Sequence, residues 1–273
     1  MSPGNLPVWV NKMGWVETNR AGLTFFQCQE FNDGQVIQGV SAKNCGNMAL
    51  HTGDDPNSVI ERRKSWFQVL GLDLNHLVSG VQIHGTKVAL VDKTAAGSGA
   101  FSIEEAIRET DALITKETDL ILATFTADCL PIFVYDPITP AIGVIHAGWR
   151  GTINGIVSFT IKRMVAEFGV YPGNCLAAIG PSICSDCFQV DRQLAESFGK
   201  VYPQTVSENE SGYRVDLQTF IRLDLMRMGI KPEGIYDARL CTGCRPELFY
   251  SYRAERGTIG RIMGIIALKG PKV

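Results

Sequence analysis

Histidine is scarce in this chain, with four in 273 residues. No block of Lys or Arg stands out, and 26 basic against 28 acidic side chains leave a formal charge of −2. A nucleic-acid-binding surface leaves a basic footprint, so a nucleic-acid partner is disfavoured. Long apolar runs are also missing. The most apolar region, Leu120 to Trp149, is broken by Asp128, Asp136 and three prolines, which excludes a membrane span. The opening "MSPGNLPVWVNKMGW" lacks the charged-then-apolar pattern of a secretory signal. The expected location is cytoplasmic, and the eight cysteines are expected as reduced thiols, not as a disulfide framework. Internal repeats and low-complexity tracts are absent, as are the phosphate-binding G-x-x-x-x-G-K-[ST], the zinc-protease H-E-x-x-H and the hydrolase G-x-S-x-G. The H-x-E with P-C-x-x-C signature of zinc nucleobase deaminases is missing too.

What remains is an ordinary globular composition, 45% hydrophobic and 20% charged. A chain of this length buries roughly 75% of its unfolded surface and needs neither disulfide nor metal to hold a core. Short apolar runs bounded by turn residues, 120–127, 131–136, 141–146 and 176–180, predict strands, and 259–268 predicts a final one. From Thr152 the period changes. Ile153, Ile156, Val157, Ile161, Met164, Val165 and Phe168 follow helical spacing, with Thr152 as expected N-cap and Gly169 as stop. A second helix is expected over 216–229, capped by Asp216 and ended by Gly229. The small residues of 93–102 predict a mobile surface segment, and 202–213 a polar loop. Mixed strands and helices point to a layered α/β or α+β domain.

Three residues with ligand chemistry stand at the ends of strand-like runs: His84 in "VQIHGTKV", Cys129 in "TADCLP" and His146 in "GVIHAGWRGT". Two imidazoles and a thiolate suit Zn²⁺ and leave a fourth position for water, whose pKa such a zinc brings to about 7. The spacing alone equally admits packed histidines and a buried thiol. Cys184-x-x-Cys187 and Cys241-x-x-Cys244 are two half-motifs of a four-cysteine zinc site. The 53 residues between Cys187 and Cys241 far exceed the usual ribbon spacing of about 15–20. In "GWRGT", Arg150 and a helix start near Thr152 offer a cradle for an anion, or Arg150 braces the loop while Trp149 fills the core. Asp128, beside Cys129, is placed to orient a ligand or move protons, or simply to form a turn.

Taken together, "VQIHGTKV", "TADCLPIFVYDP", "GVIHAGWRGT", "AIGPSIC" and the late "CTGC", "FYSYR" and "GRIMGIIAL" resemble the laccase-domain (YfiH-type) family, in order over roughly residues 40–268. This family was long labelled polyphenol oxidase and is now regarded as purine nucleoside phosphorylase. The resemblance implies that residues 1–273 form a single-domain α/β/β/α sandwich, with one zinc held by His84, Cys129 and His146. It implies phosphorolysis of adenosine, inosine, guanosine or methylthioadenosine and deamination of adenosine, with purine nucleosides and phosphate as partners. Asp128, Cys129 and Arg150 are then the expected catalytic residues, and His51 and Arg253 the expected substrate contacts. Three segments depart from the family pattern. "FFQCQEFNDGQVIQGVS" lacks the family's early arginine, "GNMALHTGDD" keeps His51 in an altered context, and "SYRA" replaces "SYRR". The alternatives are a copper-dependent polyphenol oxidase, disfavoured because a multicopper laccase consumes about ten histidines, and a non-catalytic zinc-stabilised module.

Overall fold

A computed structural model describes residues 14–31, 34–257 and 260–270. Residues 1–13, part of the opening read above for its lack of a signal, and Ile259 of the expected last strand lie outside the described residues. In chain order the strands are β1 (Trp15–Arg20), β2 (Leu23–Cys28), β3 (Val36–Ser41), β4 (Leu77–Ser79), β5 (Val88–Leu90), β6 (Ala112–Thr115), β7 (Ile121–Thr126) and β8 (Leu130–Asp136). They continue with β9 (Ala141–Ala147), β10 (Leu176–Ile179), β11 (Gln189–Val190), β12 (Val206–Asn209), β13 (Gly212–Val215), β14 (Ile235–Asp237) and β15 (Ile262–Leu268). The helices are α1 (Pro56–Leu70), α2 (Trp149–Ile153), α3 (Ile156–Phe168), α4 (Arg192–Gly199) and α5 (Leu217–Arg227). One six-stranded sheet has the order β1-β2-β3-β15-β7-β4, a second has β14-β10-β8-β9-β6-β5, and β11-β13-β12 form a small third sheet.

The layering follows from the two-residue period of the central strands. On β15, Met263, Ile265 and Ala267 pack with Trp66 and Phe67 of α1, while Ile262, Ile266 and Leu268 face the other sheet. Phe133 and Tyr135 of β8 and Ile142 and Val144 of β9 meet them there. The opposite face of β8, Leu130, Ile132 and Val134, packs on Ile156, Ile161 and Met164 of α3 and on Phe220, Ile221 and Leu225 of α5. Three apolar seams thus separate four layers, α1, sheet, sheet, then α3 with α5. This is the α/β/β/α order that the resemblance implies.

Several local expectations are corrected. Thr152 is no N-cap; it lies buried inside α2, which starts after Gly148, and α3 starts after Gly155 in the left-handed region at φ 84. An Asn-Gly pair is a poor helix continuer and divides what the apolar period reads as one helix. The far end holds, because Gly169 at φ 72 returns its N–H to the Val165 carbonyl. Asp216 caps α5 by accepting the Thr219 N–H, as expected. Segment 93–102 is tied down: buried Arg63 donates to the carbonyls of Met48, Gly99 and Ala100 at 2.7–2.8 Å. The polar stretch 202–213 contains most of the β12–β13 hairpin, paired from Val206–Val215 to Asn209–Gly212. Among the described residues no helix is long and apolar enough to cross a membrane.

The distance between the two large sheets rests on small residues. A Cβ on Gly264 would stand 2.8 Å from Phe133 Cζ and 3.3 Å from Pro131 Cβ. Gly264→Val is expected to destabilise the protein by about 1–3 kcal/mol through overpacking, read as a lower urea midpoint with an unchanged slope. An unchanged midpoint would show that the seam between the sheets is loosely packed.

Candidate metal centre

His84, Cys129 and His146 reach one point from three kinds of backbone. His146 lies within β9, opposite Pro131 of β8. It shares the strand face of Ile142 and Val144, so its ring enters the space between the sheets at the end of their apolar seam. Cys129 precedes β8 in the bend where the chain leaves the β7 sheet for the β8 sheet. His84 is not at a strand end. It sits in a bend four residues before β5, with φ 61 in the left-handed region. The ligating atoms lie within 4.8 Å of one another, with Cys129 Sγ 3.7 Å from His84 Nε2. The two imidazoles meet edge to face, their centroids 4.8 Å apart.

Asp111, which sequence reasoning missed, organises this cluster. It precedes β6 and is 3% exposed. Its Oδ1 pairs with His146 Nδ1 at 2.8 Å and accepts the His84 N–H at 2.9 Å. Its Oδ2 accepts the N–H groups of Gly85 at 2.8 Å and Ile83 at 3.2 Å. One carboxylate therefore orients the His146 ring with Nε2 toward the cluster and holds the His84 bend in an otherwise costly conformation. Burial pushes the Asp111 pKa up, but His146 and the amide N–H groups outweigh it and leave the carboxyl below its ordinary value. The nearest sequence signal is an Asp opening an apolar strand, which is common in turns.

Gly148 supplies the room. A Cβ there would lie 2.4 Å from His84 Cδ2 and 3.2 Å from Cys129 Sγ. Gln82 fixes the other flank through its side-chain amide, which donates to the Phe125 carbonyl and accepts the Phe125 N–H, both at 2.8 Å. The clustered groups shift one another's pKa values in opposite directions. Burial pushes the Cys129 thiol up, but His146 and His84 bring it down to about 6. Burial pushes His146 down, but the Cys129 thiolate and Asp111 raise it to about 9.

The cluster opens on a cavity of about 560 Å³, whose wall includes the expected His51, Asp128, Arg150 and Arg253. His51 stands edge-on to Phe125 at 6.4 Å, and burial together with Arg261 and Arg63 lowers its pKa. Asp128 does not orient a ligand. At φ 87, its carboxylate accepts the Thr242 hydroxyl and the Arg253 N–H, each at 2.7 Å. Arg150 is exposed and lies over the Trp149 ring at 4.2 Å, while Trp149 is only half-buried. The helix behind it, α2, has five residues, too short for an appreciable dipole. The Arg253 guanidinium donates to the carbonyls of Cys187 and Gln189 at 3.3 and 2.9 Å, so its side chain ties the cavity wall together.

Asp111→Asn is expected to lower metal affinity about 10–100-fold, measured by competition with a chromogenic chelator, while the circular dichroism stays native. Undiminished affinity would remove Asp111 from the centre. In metal-stripped protein, alkylation of Cys129 should stay level from pH 9 to about 7 and fall tenfold per unit below about 6. Peptide mapping checks this; a rate still climbing between pH 7 and 9 would exclude a preformed thiolate.

Residues 35–269 match the family model described as "Multi-copper polyphenol oxidoreductase laccase". Purine nucleoside phosphorylase YlmD of Bacillus subtilis is 33% identical over 269 residues, covering 93% of this chain and 92% of that protein. Adenosine deaminase RL5, from an unknown prokaryotic organism, is 32% identical and covers 80% of this chain and 84% of its own. The crystal structure of YlmD from Geobacillus stearothermophilus superposes with a TM-score of 0.88 at 31% identity, covering 93% of this chain and 99% of that one. With its two-sheet sandwich and His/Cys/His cluster, the chain belongs to the laccase-like family of YfiH and YlmD.

Proposed function

We propose that the protein is a zinc-dependent purine nucleoside enzyme, which phosphorolyses adenosine, inosine, guanosine and methylthioadenosine and hydrolytically deaminates adenosine. The observation that carries this reading is the His84, Cys129 and His146 donor set on the wall of a 560 Å³ cavity, a size suited to a small organic ligand. The names of the relatives, phosphorylase and deaminase, support the two chemistries.

The donor set fits zinc. Tetrahedral zinc, with bonds of about 2.1 Å to nitrogen and 2.3 Å to sulfur, spaces those atoms by about 3.6 Å. Cys129 Sγ and His84 Nε2 stand 3.7 Å apart. The group has three protein donors among the described residues, which suits a reactive site better than a structural tether. When bound, such a cation supplies Lewis acidity at the cavity wall.

The chain's own residues account for binding and proton movement. Phe125, Phe188 and Tyr252 line the cavity and are our candidates for stacking against a purine. Each stacked base is worth about 1–3 kcal/mol. Arg150, an exposed cation at the rim, is our candidate for holding phosphate. Its stacking on Trp149 sets the direction of the guanidinium. Asp128, adjacent to Cys129 and anchored by Thr242, is our candidate for taking up and returning a proton.

A second reading, a copper-dependent phenol oxidase, is favoured by the description of the family model. Copper(II) outranks zinc at nitrogen and sulfur donors. Against it, the chain has four histidines in all, too few for a multicopper centre, and His84 and His146 already use two. Protein made without added copper is expected to contain zinc and no copper by metal analysis. Incubation with adenosine and phosphate should yield inosine, adenine and ribose 1-phosphate, resolved by chromatography. His84→Ala should lower each about 10²-fold or more. If wild-type protein forms none of them above that variant, the nucleoside reading fails.

A further inference from the structure

The two C-x-x-C half-motifs, left unassigned by the sequence, meet in space. Strands β10 and β14 run parallel in the second sheet, paired Ala177–Ile235 through Ile179–Asp237. Beyond the sheet edge the same parallel course continues as an isolated bridge between Ser182 and Cys241. Each chain then turns at once through its own C-x-x-C. The two motifs therefore arrive side by side, with the Cys184 N–H on Cys241 Sγ and Cys187 Sγ beside Cys244 Sγ.

All four sulfurs lie within 4.8 Å of one another. Cys184 Sγ is 3.8 Å, and Cys187 Sγ 3.4 Å, from Cys244 Sγ. Zinc–sulfur bonds of about 2.3 Å in a tetrahedron require sulfur–sulfur edges of about 3.8 Å. A disulfide would need about 2.05 Å and would engage two of the four. The backbone N–H groups of Cys184 and Cys244 donate to Cys241 Sγ at 3.3 and 3.4 Å. Two amide donors converging on one sulfur is what a thiolate ligand requires of its surroundings. The solitary thiols Cys28, Cys45 and Cys175 are buried and belong to no cluster of metal donors among the described residues.

From this convergence we infer a second metal site, in which Cys184, Cys187, Cys241 and Cys244 bind one Zn²⁺ as a closed, structural tetrathiolate. Binding releases the thiol protons to solvent, the four sulfurs coordinate the cation, and no oxidant takes part. The site has a clear mechanical task. Its two turns carry the cavity wall: Ile183 and Phe188 flank the first motif, and Thr242 of the second bonds Asp128. The carbonyl of Cys187 also accepts the Arg253 guanidinium. Zinc here pins part of the cavity wall without sharing a ligand with the His84, Cys129 and His146 cluster. This inference is independent of the nucleoside reading.

The test is zinc per chain, by elemental analysis of full-length protein purified from zinc-supplemented cells. Wild type should hold two. Cys184→Ser/Cys187→Ser should hold one, and His84→Ala/His146→Ala should also hold one, so the two sites fail separately. A measurement on unmutated protein guards against a cysteine variant that does not fold. Titration with an organomercurial in the presence of a zinc-sensitive dye should release a zinc as these four thiols react, mapped by peptide mass. The inference is overturned if the cysteine variant keeps the wild-type zinc count. Mass analysis finding a disulfide among the four in freshly purified protein would overturn it as well.

Discussion

A single buried carboxylate governs the reactive end of this molecule. Asp111 sits where the second sheet ends, shielded from water, and each of its oxygens is committed to a donor. A carboxylate at 3% exposure is tolerated only with such full pairing. The pairing in turn removes the freedom of an imidazole and of the loop that carries another. Both histidines are thereby presented in fixed orientation before any ligand arrives, and the cost of organising the cluster is met during folding.

The sandwich places this constraint at the mouth of the apolar seam. As long as the two sheets face each other with Phe133, Tyr135, Ile142 and Ile266 between them, the interior is apolar. At the β7–β8 crossover the chain changes sheet, the seam ends, and the gap becomes a cavity. There Cys129 is partly exposed and His146 buried, and the low-dielectric surroundings strengthen the attraction by which Cys129 raises the His146 pKa and His146 lowers that of Cys129.

Much of the framework was readable from residue order. The runs of β7, β8 and β9 and the helical face of α3 are local patterns, and local patterns survive without knowledge of the tertiary structure. The cluster itself was readable only through family resemblance, because 44 residues separate His84 from Cys129 and no spacing rule applies. Asp111 stayed hidden for a different reason. Its importance lies in what it accepts, three backbone N–H groups and a ring nitrogen, and amide donors have no signature in a sequence. Gly148 has a φ of −73, open to any residue; what excludes a side chain there is the neighbouring imidazole. The loops misread as mobile or formless were ordered from a distance, by Arg63 in one case and by strand pairing in the other.

The parallel exit of β10 and β14 has a consequence for how such proteins diverge. The polypeptide joining the two parallel strands leaves the C-terminal end of β10 and crosses back to the N-terminal end of β14, so its length is decoupled from where the strand ends lie. Insertions or deletions in that excursion, which here holds α4, the small third sheet and α5, change the count between the cysteine turns without moving the sulfurs. Searches keyed to a fixed interval will pass over kindred molecules that keep the same four thiols. Strand direction is the quantity to follow among them.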